Sequence, residues 1–563
     1  MKKRLVFFLF ILAGFFSASR NGGGETKPAL DEAAGDYAAF GDFAAARTAA
    51  DTTPEESAAA LLEKMSDDEI LAQTFMFGWE GQRPSPLILE WVKNRRIGGV
   101  KVFGWNAQNG EILAETIAAL QEAALASPPG VSLLVATDQE GGIVRHVKGS
   151  TSDTPGNMAI GASAYPEDAY RSGLYIAGEL SRLGINMNFA PVVDLATRRD
   201  SRLIGPRSFG ADPVNAGILG AAFMKGQAAS GIISTAKHFP GHGDTSLDSH
   251  GTLPRIAAGE QTLWERELVP YRIMVKEGLP AIMSGHLAFP DTPAGERPAS
   301  LSPWFLTDLL RTRMGYRGLV ITDDLLMYGA VQAGGSLANT AKEALLAGND
   351  MILVSSTPEP DSLFWTSLLA SMRNEPAFRN RVREAAGRVL ALKRGWLENP
   401  GSVPAIRRAA PAGPESAAFF RDLAARSVTP LISGSSAPLV PAAAGRVLLA
   451  GQYSTFFRAG LQAYPGAALY SFEEYGSAAE FRRMAAAADT VVFCLADSEG
   501  QRLLEALRYL NKRVIVISAL NPSWVDEVPW VDAALAVYSY SADSFTAGFS
   551  ALLGRFVPGG RLP

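Results

Sequence analysis

The feature that most constrains this chain is a repeated unit. A short apolar run ends on an ionisable residue, a stretch long enough for a helix follows, and another apolar run begins. The runs are residues 97–103, 131–137, 185–193, 231–234, 281–286, 319–322 and 350–354, and segments such as 110–126, 166–183 and 213–230 have helical length and composition. Continuous apolar runs of this size are strands buried on both faces, and strands joined by helices run parallel. Seven such strands are clear, and an eighth is expected near 70–77 or after Met187. The expected fold class is α/β, with a (β/α)8 barrel over residues 56–398. Such barrels place their chemistry at the C-terminal ends of the strands. Here Asp138, Asp194, His286 and the pair Asp323-Asp324 end or follow their runs directly. An open doubly wound sheet is the alternative, but it would not gather five or six strand ends around one pocket.

At 563 residues the chain exceeds one core. A helix over 378–392 should close the barrel near Trp396, and the Pro/Ala-rich segment 399–414 reads as a linker. A smaller α/β domain is expected over 415–563, with strands at 446–450, 490–495, 514–517 and 533–537 and helices such as 478–488 and 500–510. At the other end Lys2, Lys3 and Arg4 precede an apolar run over 5–16 and the small residues Ser17-Ala18-Ser19. This is the pattern of a signal peptide over 1–19, and it predicts an exported protein, periplasmic or extracellular. Membrane contact is expected only where that segment is left uncleaved. Residues 20–55 read as a linker, and Ser66 with Glu69 as a helix-opening capping box. The net charge of −5 gives no basic footprint, so nucleic acid is not an expected partner. The single cysteine, Cys494, allows no intrachain disulfide and reads as a small buried hydrophobe.

Chemistry concentrates in residues 235–250, Thr-Ala-Lys-His-Phe-Pro-Gly-His-Gly-Asp-Thr-Ser-Leu-Asp-Ser-His, which hold three of the five histidines. Pro240, Gly241 and Gly243 forbid a helix and predict a loop after the strand at 231–234. Asp248 and His250 are two apart, so in an extended segment they point the same way. The carboxylate would fix the imidazole's tautomer and stabilise its protonated form, making His250 a proton donor or acceptor. His238, His242 and His250 lack the helical spacing of metal ligands and no cysteine is near, so no metal and no cofactor are expected. Asp323 and Asp324 are neighbours at a strand end, so only one can face the barrel mouth.

Lys-His-Phe-Pro-Gly-His-Gly followed by Asp-Ser-His resembles the signature of the β-N-acetylglucosaminidase branch of family-3 glycoside hydrolases. The resemblance is strong over about residues 60–396 and weak in the C-terminal domain. It implies a retaining exo-enzyme that removes terminal β-linked N-acetylglucosamine through a covalent intermediate. It implies Asp323, in Thr-Asp-Asp-Leu-Leu-Met, as the nucleophile, with Asp248 and His250 supplying the acid/base in place of the usual second carboxyl group. It implies Asp138, Arg207, Lys237 and His238 as sugar ligands. Because Lys237 and His238 are adjacent, a bulge or a strand end is needed for both to face the sugar. Many relatives carry Arg-Val-Gln-Arg where this chain has Ile143-Val144-Arg145-His146, so either His146 or Arg145 takes the place of the last arginine. His286 could line the pocket or serve the structure. The expected substrate is an N-acetylglucosamine-containing oligosaccharide, from peptidoglycan or chitin. A β-glucosidase or β-xylosidase, or a phosphorylase with phosphate as acceptor, is the alternative within the family. A metal hydrolase and a non-catalytic sugar-binding protein are the alternatives outside it.

Overall fold

The computed structural model describes residues 53–563, apart from 127, 199–200, 202, 246–250, 328, 331–333, 398–412, 435–437 and 473–476. The segment 1–19, nearly all of 20–55 and most of 399–414 therefore lie outside the described residues.

Eight parallel strands form the first sheet: β1 (Phe75–Gly78), β2 (Gly99–Val102), β3 (Leu134–Thr137), β4 (Met187–Asn188), β5 (Ile233–Phe239), β6 (Ala281–Ser284), β7 (Leu319–Thr322) and β8 (Ile352–Val354). They pair in the order β8-β1-β2-β3-β4-β5-β6-β7. The Ile321–Met351 bridge, with the Thr322 amide donating to Met351 O at 3.0 Å, joins β7 to the start of β8. Helices Pro86–Asn94, Gly110–Ala126, Pro166–Ser181, Pro213–Ala229, Val269–Lys276, Trp304–Arg313 and Leu337–Ala347 lie in the seven connections. This is the expected (β/α)8 barrel. The eighth strand is β1, and the residues just before it form the helix Asp67–Gln73. Ser66 and Glu69 open that helix reciprocally, with Ser66 N–H donating to Glu69 Oε2 at 2.7 Å and Glu69 N–H to Ser66 Oγ at 3.3 Å.

Both faces of the sheet are apolar because one meets the helices and the other fills the barrel. Along β1, Phe75 and Phe77 pack outward, whereas Met76 joins Leu134, Met187, Ile233, Met283 and Leu353 inside. Val389, Leu392, Trp396 and Leu397, from the helix Pro376–Trp396 and its end, pack with this inner cluster.

Two strands differ from expectation in ways that matter for the site. The regular part of β4 is only Met187–Asn188, because Pro191 has no N–H to donate. The ladder resumes beyond it, where the Val193 amide donates to Lys237 O at 3.0 Å. Conversely, β5 does not stop at Ser234. It runs to Phe239, so Lys237 and His238 sit on the sheet and the loop begins only at Pro240. Ala236 pairs with Ile282 and Phe239 with Ser284, three residues against two. This bulge keeps Ala236 and Phe239 both in the outer core. Between them, Lys237 and His238 both reach acidic groups at the mouth.

The second sheet has six strands, β9 (Thr429–Ile432), β10 (Val447–Gly451), β11 (Ala468–Ser471), β12 (Thr490–Leu495), β13 (Arg513–Ser518) and β14 (Ala533–Ala536), in the order β9-β14-β13-β12-β10-β11. Only β9 is antiparallel. The four inner strands match the four expected from sequence. β9 and β11 were not expected, because edge strands carry little buried apolar pattern and β9 contains Pro430. The helix Pro414–Ser427 precedes this sheet, yet Phe419, Phe420 and Leu423 pack into the barrel's outer core. Ser416 Oγ donates to the buried Glu179 at 2.9 Å, and Arg426 pairs with Asp168 at 2.6 Å. The helix therefore straps the second sheet to the barrel.

Candidate active site

Inward-facing charges meet at the C-terminal mouth of the barrel. Lys101 alternates with the outward Val100 and Val102 on β2, so it points inside, and it is 1% exposed. Its ammonium contacts Asp138, which follows β3. Lys237 on β5 contacts Asp138 as well and lies 2.6 Å from Glu140 Oε1. Glu140 in turn holds Arg207 in a two-pronged pair, both contacts 2.8 Å. The result is a chain of alternating charge, Lys101–Asp138–Lys237–Glu140–Arg207.

Electrostatics follow from this arrangement. Burial opposes ionisation of Asp138, but the Lys101 and Lys237 cations outweigh it and hold its carboxyl well below the usual range. Burial also opposes ionisation of Glu140, and Arg207 and Lys237 overcome it. Lys237 is desolvated, yet Asp138 and Glu140 raise its pKa. For Lys101 burial wins over Asp138, and its pKa is lowered. A carboxylate kept ionised at a pocket floor is a strong acceptor for hydroxyl groups.

Asp194, at the end of the β4 segment, is fully buried. It accepts the backbone N–H of His238 at 3.1 Å and that of His242 at 2.7 Å, and its Oδ2 lies 2.7 Å from His238 Nδ1. Burial opposes its charge, and His238 foremost keeps it ionised. An ionised carboxylate assigns the proton to Nδ1, which leaves Nε2 of His238 as the free end of the ring.

Asp323 follows β7, with its amide donating to Ser284 O at 2.9 Å and its Oδ1 accepting the Asp324 amide at 2.8 Å. Burial would raise its pKa, but His238, His286, the Asp324 amide and Lys237 lower it below the usual carboxylate range. Asp324 does something else. Its Oδ1 accepts the amides of Leu326 and Ser355, both at 3.1 Å, and burial raises its pKa. One aspartate is thus coupled to the charges of the mouth and its neighbour pins the next loop.

The structure separates two further alternatives. His146 Nε2 lies 3.6 Å from Asp138, whereas Arg145 pairs with Asp153 and donates to Ser152 O at 3.3 Å, so His146 is the one at the cluster. His286 is 1% exposed and spends both ring nitrogens on protein groups, Nδ1 on Ser300 Oγ at 2.7 Å and Nε2 on Asp324 O at 3.1 Å. Arg207, expected to reach the sugar, is committed to Glu140. Asp248 and His250 lie outside the described residues.

Three participants were not expected from the sequence: Lys101, Glu140 and, as a partner of His238, Asp194. The one signal for Lys101 was a lone charge inside an apolar strand. Asp194 was marked only by its place after a strand, and nothing local pointed to its pairing or to Glu140, because their partners lie 44 and 67 residues away.

Comparison with known proteins agrees with this geometry. The N-terminal domain of glycosyl hydrolase family 3 matches residues 67–392. Beta-hexosaminidase A of Pseudoalteromonas piscicida is 39% identical over 261 residues, which are 43% of this chain and 43% of that protein. A beta-hexosaminidase of Alkalilimnicola ehrlichii is 35% identical over 297 residues, 52% of this chain and 82% of that one. Among solved structures, a glycoside hydrolase family 3 β-N-acetylglucosaminidase from Paenibacillus sp. str. FPU-7 superposes with a TM-score of 0.83 at 29% identity, covering 89% of this chain and 98% of that chain. The family's domain spans more than half of the 563 residues and coincides with the barrel that carries the charged mouth, so the chain belongs to glycosyl hydrolase family 3 and is a glycoside hydrolase.

Proposed function

We propose that the protein is an exported, retaining exo-β-N-acetylglucosaminidase acting on peptidoglycan fragments or chitin oligosaccharides. The observation that carries this reading is Asp323, an ionised carboxylate set at the same mouth as a buried network of hydroxyl-binding groups. Asp138, Lys237 and His146 receive the terminal sugar. Asp323 attacks the anomeric carbon and forms an ester, while the departing oxygen takes a proton from His250, oriented by Asp248. Water, deprotonated by the same imidazole, then cleaves the ester and restores Asp323. Glu140 and Arg207 hold Lys237 in place, and Asp194 orients His238. Similarity to beta-hexosaminidases and the Asp-Ser-His sequence support N-acetylglucosamine over glucose. The basic and apolar N-terminus of the sequence supports export.

The test is a comparison of 4-nitrophenyl N-acetyl-β-glucosaminide with 4-nitrophenyl β-glucoside. The expected kcat/KM ratio is about 10²-fold or more in favour of the first, the scale reached when buried polar groups are matched or left unpaired. Equal rates, or a preference for the glucoside, would sink the assignment.

A further inference from the structure

Trp105 is 46% exposed although it stands on the rim of a barrel whose other tryptophan in this region, Trp79, is 1% exposed. Single exposed apolar side chains are common and need no explanation. This one differs in being held. The chain turns directly after β2, with the Asn106 amide donating to Phe103 O at 3.0 Å and Asn106 Oδ1 accepting the Phe103 amide at 2.8 Å. Asn106 Nδ2 ties the turn to Trp79 O at 3.0 Å and Gly81 O at 2.6 Å. Trp105 Nε1 donates to the same Trp79 O at 2.9 Å, so its single polar atom is satisfied by the protein. One face of the indole lies flat on Phe103, with centroids 4.4 Å apart and planes 10° apart. What remains open is apolar ring surface in a fixed orientation.

The stack is continuous with the sugar site. The Phe103 ring meets the His146 ring at 5.5 Å and lies 5.0 Å from Lys101 Nζ, and both of those groups reach Asp138. Exposure rises along this path, from buried Lys101 through half-buried Phe103 to Trp105. A sugar seated on Asp138 fills the inner end. The ring on the other side of the scissile bond then emerges at the outer end. A β-linked pyranose carries its hydroxyls around its edge and presents C–H groups on its faces, which suit an aromatic plane.

We propose that Trp105 is the platform for the sugar ring on the leaving-group side, a specificity-determining residue that makes the enzyme prefer a second sugar to a small aglycone. This rests on the exo-glycosidase reading for the direction in which substrate enters. The experiment is steady-state kinetics of the full chain and of Trp105→Ala and Trp105→Tyr. The substrates are N,N′-diacetylchitobiose and methyl N-acetyl-β-glucosaminide, with N-acetylglucosamine as competitive inhibitor. Trp105→Ala should lower kcat/KM on the disaccharide about tenfold or more, mainly through KM, the scale expected from uncovering part of one ring face. Trp105→Tyr should restore most of the loss. The methyl glycoside and the inhibition constant of N-acetylglucosamine, which report only the inner site, should change less than about twofold. An unchanged rate on the disaccharide overturns the proposal, as do equal losses on both substrates, which would mean that Trp105 merely props Phe103 and the inner site. Wild-type turnover of these substrates judges the N-acetylglucosaminidase reading separately. Should it prefer glucosides, cellobiose and methyl β-glucoside put the same question to Trp105.

Discussion

His238 Nδ1 lies 2.7 Å from Oδ2 of the fully buried Asp194, and the same carboxylate accepts the backbone N–H groups of His238 and His242. One side chain at the end of β4 thereby sets the tautomer of a histidine on β5 and anchors the loop that follows it. His238 is also the group that does most to offset the burial of Asp323.

Asp194→Asn should expose that dependence. The amide can still accept the backbone N–H groups, but it presents a donor to Nδ1 and moves the ring proton to Nε2. kcat/KM is expected to fall about 10²-fold, and the acid limb of its pH profile to move up as the displaced His238 ring no longer offsets the burial of Asp323. Unchanged pH dependence would mean that His238 and Asp323 are not coupled.

Removing Lys101 tests the second charge relationship. Burial alone would raise the pKa of Asp138, and Lys101 is the first of the groups that oppose this. Lys101→Met therefore raises it, while Lys237 remains as a partner. The acid limb of kcat/KM should shift to higher pH, and activity at pH 7 should drop roughly 10–100-fold, the worth of one charge-assisted contact. A pH–rate profile with an unmoved acid limb would place Asp138 outside the substrate-binding step.

For the nucleophile, a slow 2-fluoro sugar should label the peptide spanning 319–327, and Asp323→Ala should lose about 10⁴-fold or more on every substrate. Mass spectrometry finding the label on Asp138 or Asp194 would refute the assignment. His250→Ala should behave differently. It should cost on the order of 10²–10⁴-fold on a natural disaccharide and much less on a nitrophenyl glycoside, whose leaving group departs without a proton. Equal losses on the two would place the acid elsewhere.

Lys393 gives a stability prediction away from the mouth. It lies at the foot of the barrel, 1% exposed, with Gln73 Oε1 at 2.8 Å, and burial lowers its pKa to about 7. The unfolded chain binds this proton more tightly, so the penalty is full below pH 7 and is relieved as pH rises from about 7 towards the ordinary lysine value. Between pH 7 and 9 this residue alone should add about 2–3 kcal/mol of stability. Lys393→Met should remove that rise and be more stable than wild type at pH 6. Urea melts of both proteins at pH 6 and 9 read the difference, and parallel pH trends would show that Lys393 is charged as it stands.

Much of this was determined by the sequence alone. Period and composition decide the barrel, because strands buried on both faces must be continuously apolar and their connecting helices must return the chain to the same edge. Sequence also isolates the pair Asp323-Asp324, since a carboxylate directly after a buried strand lies at the mouth and the alternation of a strand lets just one of the two face it, the choice of Asp323 being what the family resemblance implied. The tertiary structure decided the rest. The bulge that brings Lys237 and His238 together exists only because β5 must keep Ala236 and Phe239 in one core against β6. Lys101, Glu140 and Asp194 acquire their roles from residues far along the chain, through distances of a few ångströms that no local pattern encodes. Charges are legible where the backbone confines them, and their pairing is set by which strands the closed barrel makes neighbours.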